Sequence, residues 1–186
     1  MRARRVGLFG GTFDPPHRGH VAALSAAART GRFDRVEVVV AGDPYHKGPG
    51  VAPAELRLAM ARAAFEGLAL VVVSDREIVR RGPSYTVDTV RELLEEADAV
   101  DLLVGADLAT QLDSWHEADA LRELVEVGVV PRPGAATLVP ARWRGYVIEM
   151  EPVDLSSTFI RELASADRLE DFLPADVIPL YVGSRG

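Results

Sequence analysis

The sequence predicts a single α/β domain over residues 1–186, built on a doubly wound, mostly parallel sheet. Three observations carry that expectation. Short runs of branched apolar residues recur along the chain, and they are continuous rather than alternating, as strands covered on both faces require. Helical patterns separate them, so the order reads βαβαβαβ. Hydrophobic residues make up 48% of the 186 residues, enough for one real core.

The elements follow in order. The first strand is RVGLF, residues 5–9, and GHVAALSAAARTG, Gly19 to Gly31, follows it as a helix. RVEVVVA, residues 35–41, is the second strand, and Pro53 to Phe65 the second helix, with proline suited to its first turn. LALVVVS, residues 68–74, precedes a helix over Ser84 to Ala97, and VDLLVG (100–105) and LVEVGVV (124–130) are further strands. After Pro131 the pattern weakens through the turn PRPG to a strand GYVIEM (145–150) and a helix SSTFIRELASA (156–166). The tail DFLPADVIPLYV reads as a helical turn closing back on the sheet. There is no repeat, low-complexity tract or linker, so no domain boundary is drawn. A sheet of this kind binds ligands beyond the carboxyl ends of its strands.

The net charge of −7 disfavours nucleic acid and membrane surfaces as partners, because both need a basic footprint. An anionic ligand must therefore meet a local basic pocket. Zero cysteines exclude disulfides and thiolate metal sites, which makes the cytoplasm the expected compartment. The start MRARRVGLFGG is basic, but its apolar stretch is too short for a signal segment or a membrane span. A cleaved transit peptide would have to remove the first strand. Oligomeric state stays open, a homo-oligomer included.

The stretch VGLFGGTFDPPHRGH, Val6 to His20, carries the first chemical signal. It lacks the G-x-G-x-x-G fingerprint, and the chain contains no G-x-x-x-x-G-K-[ST], which disfavours dinucleotide-type and P-loop binding. Gly10, Gly11 and Thr12 instead let the backbone approach a ligand, and His17 and His20 flank a helix start. Helix N-termini attract anions through free N–H groups and the dipole. Imidazole donors there would add directed bonds to a phosphate, with Gly19 leaving the approach clear. The dipole should lower the histidine pKa values and a bound polyphosphate should raise them. Two plainer readings stand beside this one. His-x-x-His can be a metal pair, but the chain has four histidines, at 17, 20, 46 and 116, and no carboxylate–histidine cluster completes a site. The pair could also simply cap a turn.

GGTFDPPHRGH resembles the His-x-Gly-His signature of the adenylyltransferase/cytidylyltransferase superfamily, residue by residue at His17, Gly19 and His20. SSTFIR, Ser156 to Arg161, is similar to that superfamily's Ser/Thr-rich motif ending in arginine. Taken on its own residues, Ser156 or Ser157 is a good N-cap, Ser157 and Thr158 place hydroxyls beside free N–H groups, and Arg161 lies one turn on. GPSYTVDT (82–89), GADL…SWHE (105–117) and VPRPG (130–134) narrow the resemblance to the bacterial nicotinate mononucleotide adenylyltransferases. That resemblance spans nearly the whole chain and implies a Rossmann-like nucleotidyltransferase fold. The chain departs from it at GDPYHKG, residues 42–48, where Tyr45 breaks a proline-proline-His-Lys loop while His46 and Lys47 keep it.

The reaction implied is attack of the mononucleotide phosphate on the α-phosphorus of ATP, with pyrophosphate leaving. No protein nucleophile is needed, because the attacking oxygen is already ionised. By resemblance His17, His20 and Arg161 are the catalytic residues, and Ser156, Ser157, Thr158, Gly10, Gly11, Thr12, Phe13, Gly105 and Asp107 bind ATP. Lys47, Tyr85, Thr86, Trp115, His116 and Arg132 are implied for the acceptor. Trp115 would stack the pyridine ring, backbone N–H groups near Thr86 and His116 would take its carboxylate, and Arg132 and Lys47 would take its phosphate. Magnesium would arrive on ATP, held mainly by phosphate and water, with Asp14 and Asp107 as further contacts. The rivals are transfer of an adenylyl or cytidylyl group to another acceptor, such as phosphopantetheine or nicotinamide mononucleotide, and a sensor that binds ATP without transfer.

Overall fold

The computed structural model describes residues 4–44, 50–163 and 168–184. Six strands, β1 (Arg5–Gly11), β2 (Arg35–Val40), β3 (Val71–Ser74), β4 (Ala99–Gly105), β5 (Val125–Val130) and β6 (Gly145–Val147), form one sheet in the order β3-β2-β1-β4-β5-β6. Every neighbouring pair is parallel, so the mostly parallel sheet expected from the sequence is parallel throughout. The order reverses between β1 and β4, and a doubly wound sheet leaves a crevice for ligands beyond the carboxyl ends at such a point.

Helices cover both faces. On one side α1 (Arg18–Arg29) and α2 (Ala54–Phe65) pack Leu24, Met60 and Phe65 against Phe9, Val36, Val38 and Val40. On the other, α4 (Thr86–Leu94) and α6 (Ala118–Leu124) pack Val90, Leu93 and Leu121 against Val6, Leu8, Val100, Leu102 and Val127. Alternate residues of each strand thus serve opposite cores, and this explains the unbroken apolar runs. Truncating a fully buried leucine such as Leu24 or Leu102 to alanine would cost roughly 2–5 kcal/mol.

Several boundaries differ from the sequence reading, each for a local reason. β1 continues through Gly10 and Gly11, because these pair with Val39 and Val40 of β2. β3 begins only at Val71, since Leu70 has φ 63°, which interrupts an extended run. A five-residue helix, α3 (Arg76–Arg80), intervenes before α4, whose cap is Tyr85. A short helix α5 (Ala106–Ala109) follows β4 directly. The 156–166 helix is α7 (Ser157–Glu162), and its expected last turn lies outside the described residues.

The tail forms α8 (Leu169–Phe172), a 3-10 turn at Ala175–Val177 and α9 (Ile178–Gly183). Leu173, Val177 and Tyr181 join the α1/α2 core, so the tail closes on the sheet through α2. Charged groups gather at the amino ends of the strands. Asp101, fully buried, receives Arg5 at 2.6 Å, Arg32 at 3.3 Å and the Tyr146 hydroxyl at 2.8 Å. The carboxyl ends are left to the loops that carry the sequence motifs. Among the described residues no helix is long and apolar enough to cross a membrane.

Candidate active site at the β1/β4 switch point

A pocket lined by Phe9, Gly19, His20, Gly105, Arg132 and Val153 opens where the strand order reverses. The loop after β1 and the start of α1 form one wall. His17 is the N-cap of α1 in extended backbone, and its N–H donates to Nδ1 of His20 at 3.1 Å. The two imidazoles stack at 3.7 Å with planes 26° apart. An Nδ1 that accepts this bond carries no proton, so neutral His20 holds its proton on Nε2 as a donor.

Both rings are strongly biased to the neutral form. Burial pushes His17 down to about 3 from an ordinary 6.5, and the Arg132 cation adds to it. His20 is held well below its usual value by burial first, then by His17 and Arg132. Although part of His20 reaches the pocket, Phe9, Phe13 and His17 enclose its ring. Burial rather than the helix dipole is therefore the leading cause of the lowering anticipated from the sequence. His17 is 1% exposed, so its ring lies inside the wall rather than open to solvent.

Glycine and phenylalanine shape this wall. A Cβ at Gly19 would come within 3.0 Å of the His17 ring, and one at Gly11 within 2.8 Å of the Phe13 ring. Phe13, with φ 53°, turns its ring into the core edge-on to His20 at 5.2 Å. Gly105 ends β4 opposite, where a Cβ would displace the Asp107 carboxylate and press on Arg132 Nε at 3.3 Å. Arg132 donates to the Leu155 carbonyl at 2.7 Å and has Nε 3.9 Å from Asp107, which places it on the His20 side of the site.

The 156–161 motif folds against the same loop. Ser156 is the N-cap and accepts from Phe159 N at 3.1 Å. Ser157 Oγ donates to the Pro15 carbonyl at 2.8 Å, and Arg161 donates to the Asp14 carbonyl at 2.7 Å and to Thr158 Oγ1 at 3.2 Å. Motifs about 140 residues apart in sequence thus meet at the loop after β1, through bonds that span 142 and 147 positions.

The acceptor candidates form a second group. The Tyr85 ring stacks on His116 at 3.9 Å with planes 18° apart, and Thr86 opens α4. Trp115 is half-buried against the α4/α6 core. Ser84 Oγ accepts from Gly42 N at 3.0 Å and Asp43 N at 3.3 Å, tying the loop after β2 to this group. Lys47 lies outside the described residues.

Two supporting residues went unread in the sequence. Arg57 on α2 is 1% exposed and donates to the carbonyls of Ala52 (2.8 Å), Thr12 (3.0 Å), Ala41 (2.7 Å) and Gly42 (3.2 Å). It joins the loops after β1 and β2. The available signal was an arginine on the helix face otherwise formed by Ala61, Ala64 and Phe65, since a buried charge is the informative exception. Trp143, buried in the 131–144 connection, donates from Nε1 to Asp113 at 2.9 Å, two positions before Trp115.

A family model described as cytidylyltransferase-like matches residues 8–163. A chain from Exiguobacterium sibiricum, named as a probable nicotinate-nucleotide adenylyltransferase, is 38% identical over 88% of each chain. One of the same name from Roseiflexus sp. is 36% identical over all of this chain and 98% of its own. Among solved structures, Plasmodium falciparum nicotinic acid mononucleotide adenylyltransferase complexed with NaAD superposes with a TM-score of 0.82 at 15% identity, covering 97% of this chain and 95% of that one. That likeness concerns the fold. With the matched region running from β1 into α7 and so enclosing both motifs of the cleft, this chain belongs to the cytidylyltransferase-like family, alongside the nicotinate-nucleotide adenylyltransferases to which it is similar along its length.

Proposed function

We propose that this protein transfers the adenylyl group of ATP to nicotinate mononucleotide, giving deamido-NAD and pyrophosphate. The observation that carries the reading is the junction of Ser157 and Arg161 with the Asp14 and Pro15 carbonyls of the loop that leads into His17 and, through it, His20. The names of the full-length relatives support the choice of acceptor.

A phosphate oxygen of the mononucleotide attacks the α-phosphorus of ATP, the bond to the bridging oxygen breaks, and its electron pair leaves with pyrophosphate. Because the nucleophile is already an anion, the chain's task is alignment and charge stabilisation. His20, neutral with its proton on Nε2, would donate to oxygens at which negative charge builds. His17 orders that ring by stacking and through its backbone N–H. Ser157, Thr158 and Arg161, beside the loop carbonyls, would hold the β- and γ-phosphates. Arg132 would meet the acceptor phosphate next to His20. Among the described residues no group of three or more His, Asp or Glu side chains could hold a metal, and only Asp107 is an exposed carboxylate beside Arg132. That donor set suits a magnesium ion bound chiefly through phosphate oxygens and water, which would neutralise charge on the leaving pyrophosphate.

The test is pyrophosphate release from Mg-ATP with nicotinate mononucleotide, nicotinamide mononucleotide or phosphopantetheine, alongside chromatographic detection of the dinucleotide. Fastest release with nicotinate mononucleotide, together with deamido-NAD, is expected. Faster turnover with phosphopantetheine would reassign the acceptor, and ATP binding without release would make the protein a sensor.

A further inference from the structure

Glu117 has φ 49° and ψ 43°, left-handed backbone that a residue with a side chain keeps only where its surroundings hold it. Those surroundings are specific. Arg91 of α4 grips the Glu117 carboxylate with both guanidinium nitrogens, Nη2 to Oε2 at 2.6 Å and Nη1 to Oε1 at 3.4 Å. Arg91 also reaches Asp88 at 3.3 Å, and His116 Nε2 lies 3.5 Å from Glu117 Oε1. The Tyr85–His116 stack is a second link between the same segments, so residues 85–91 and 116–117 are joined twice.

The Arg91 and Glu117 side chains are 46% and 42% exposed, and ion pairs of that exposure add little to stability. Their effect is on charge. Glu117 directly follows His116, the residue near which the acceptor reading puts the pyridine carboxylate. An unmasked Glu117 would repel that anion, while leaving a neutral carboxamide almost unaffected.

We infer that the Arg91–Glu117 pair is a specificity determinant: Arg91 masks the Glu117 charge, so that the 116–117 segment admits an anionic pyridine ring. This rests on the acceptor reading given above. Arg91 is a positioning residue in it, acting through Glu117.

The experiment compares kcat/KM for nicotinate and nicotinamide mononucleotide in the full-length protein at saturating Mg-ATP, at low and at high salt. In Arg91→Met the preference for nicotinate should fall about threefold to tenfold at low salt, with less change at high salt, where charge is screened. KM for ATP should not move. Adding Glu117→Gln to Arg91→Met removes the unmasked charge, and the preference should return to within about twofold of the parent. A purely structural role would weaken both acceptors alike. An unchanged preference in Arg91→Met, or a loss that Glu117→Gln does not repair, overturns the inference while the acceptor reading survives. A parent protein that uses both mononucleotides equally overturns the acceptor reading and this inference with it.

Discussion

The backbone N–H of His17 donates to Nδ1 of His20, and this one 3.1 Å bond sets the chemistry of the pocket. It forces the proton of neutral His20 onto Nε2, while burial keeps the ring from ionising. A donor is thus prepared before ATP arrives, with little reorganisation left for the reacting state.

His20→Ala is expected to fold and to lose turnover by about a hundredfold or more, the scale of removing one donor to developing charge. Steady-state pyrophosphate release measures the loss, and a thermal melt checks the fold. Turnover near the parent value would take His20 out of the chemistry.

The acid side of the stability curve should depend on His17. Its folded pKa of about 3 lies below the unfolded value of 6.5, so between those values the unfolded chain binds a proton that the folded one refuses. Stability is therefore complete above about pH 6.5 and declines as pH falls toward 3. For this residue the decline amounts to about 2 kcal/mol at pH 5. Urea unfolding at pH 7.5 and pH 5 should show a smaller difference for His17→Asn than for the parent. Equal differences would mean that His17 is not held neutral in the folded state.

How much of this was legible in the sequence depends on how local the information is. The βα alternation was readable because each strand carries its own apolar run, and Gly10 to His20 and Ser156 to Arg161 hold their chemistry within a few residues. The five-residue α3 is too short for periodicity to register, and the late start of β3 turns on the backbone angle of Leu70. Arg57 and Trp143 were missed because their meaning lies in partners 5 to 45 and 30 positions away. The Tyr85–His116 stack likewise needs two segments to be brought together by the sheet.

Arg161→Lys should not be a conservative change. The guanidinium reaches the Asp14 carbonyl and Thr158 Oγ1 in separate directions, and a lysine amine cannot reproduce that planar fork. Affinity for ATP should fall by about tenfold, equal to roughly 1.4 kcal/mol. Calorimetric titration with a non-hydrolysable ATP analogue reads this directly. Unchanged affinity would remove the second motif from the phosphate site.

Arg57 joins stability to function, and its substitution should separate the two. Its guanidinium is buried without a carboxylate at hydrogen-bonding distance in the described structure; four backbone carbonyls surround it, and Asp14 and Glu55 contribute attraction at longer range. Removing it in Arg57→Met exposes those carbonyls to an apolar interior, which should destabilise the fold by about 3–5 kcal/mol. Arg57→Lys keeps a cation on the same stem but can satisfy only some of the carbonyls, because an ammonium does not span the fork. The carbonyl of Thr12 belongs to the loop that runs into His17, whereas those of Ala41, Gly42 and Ala52 belong to the segment that follows β2. Loosening their common tie should therefore act on the loop that receives phosphate. In Arg57→Lys we expect KM for ATP to rise by about tenfold with a smaller change in kcat, under conditions where urea unfolding shows the enzyme fully folded. A fall in kcat alone would point to a shrinking folded fraction, which leaves KM untouched, and an unchanged KM would show that the carbonyls of Thr12 and Ala41 keep their places without the fork.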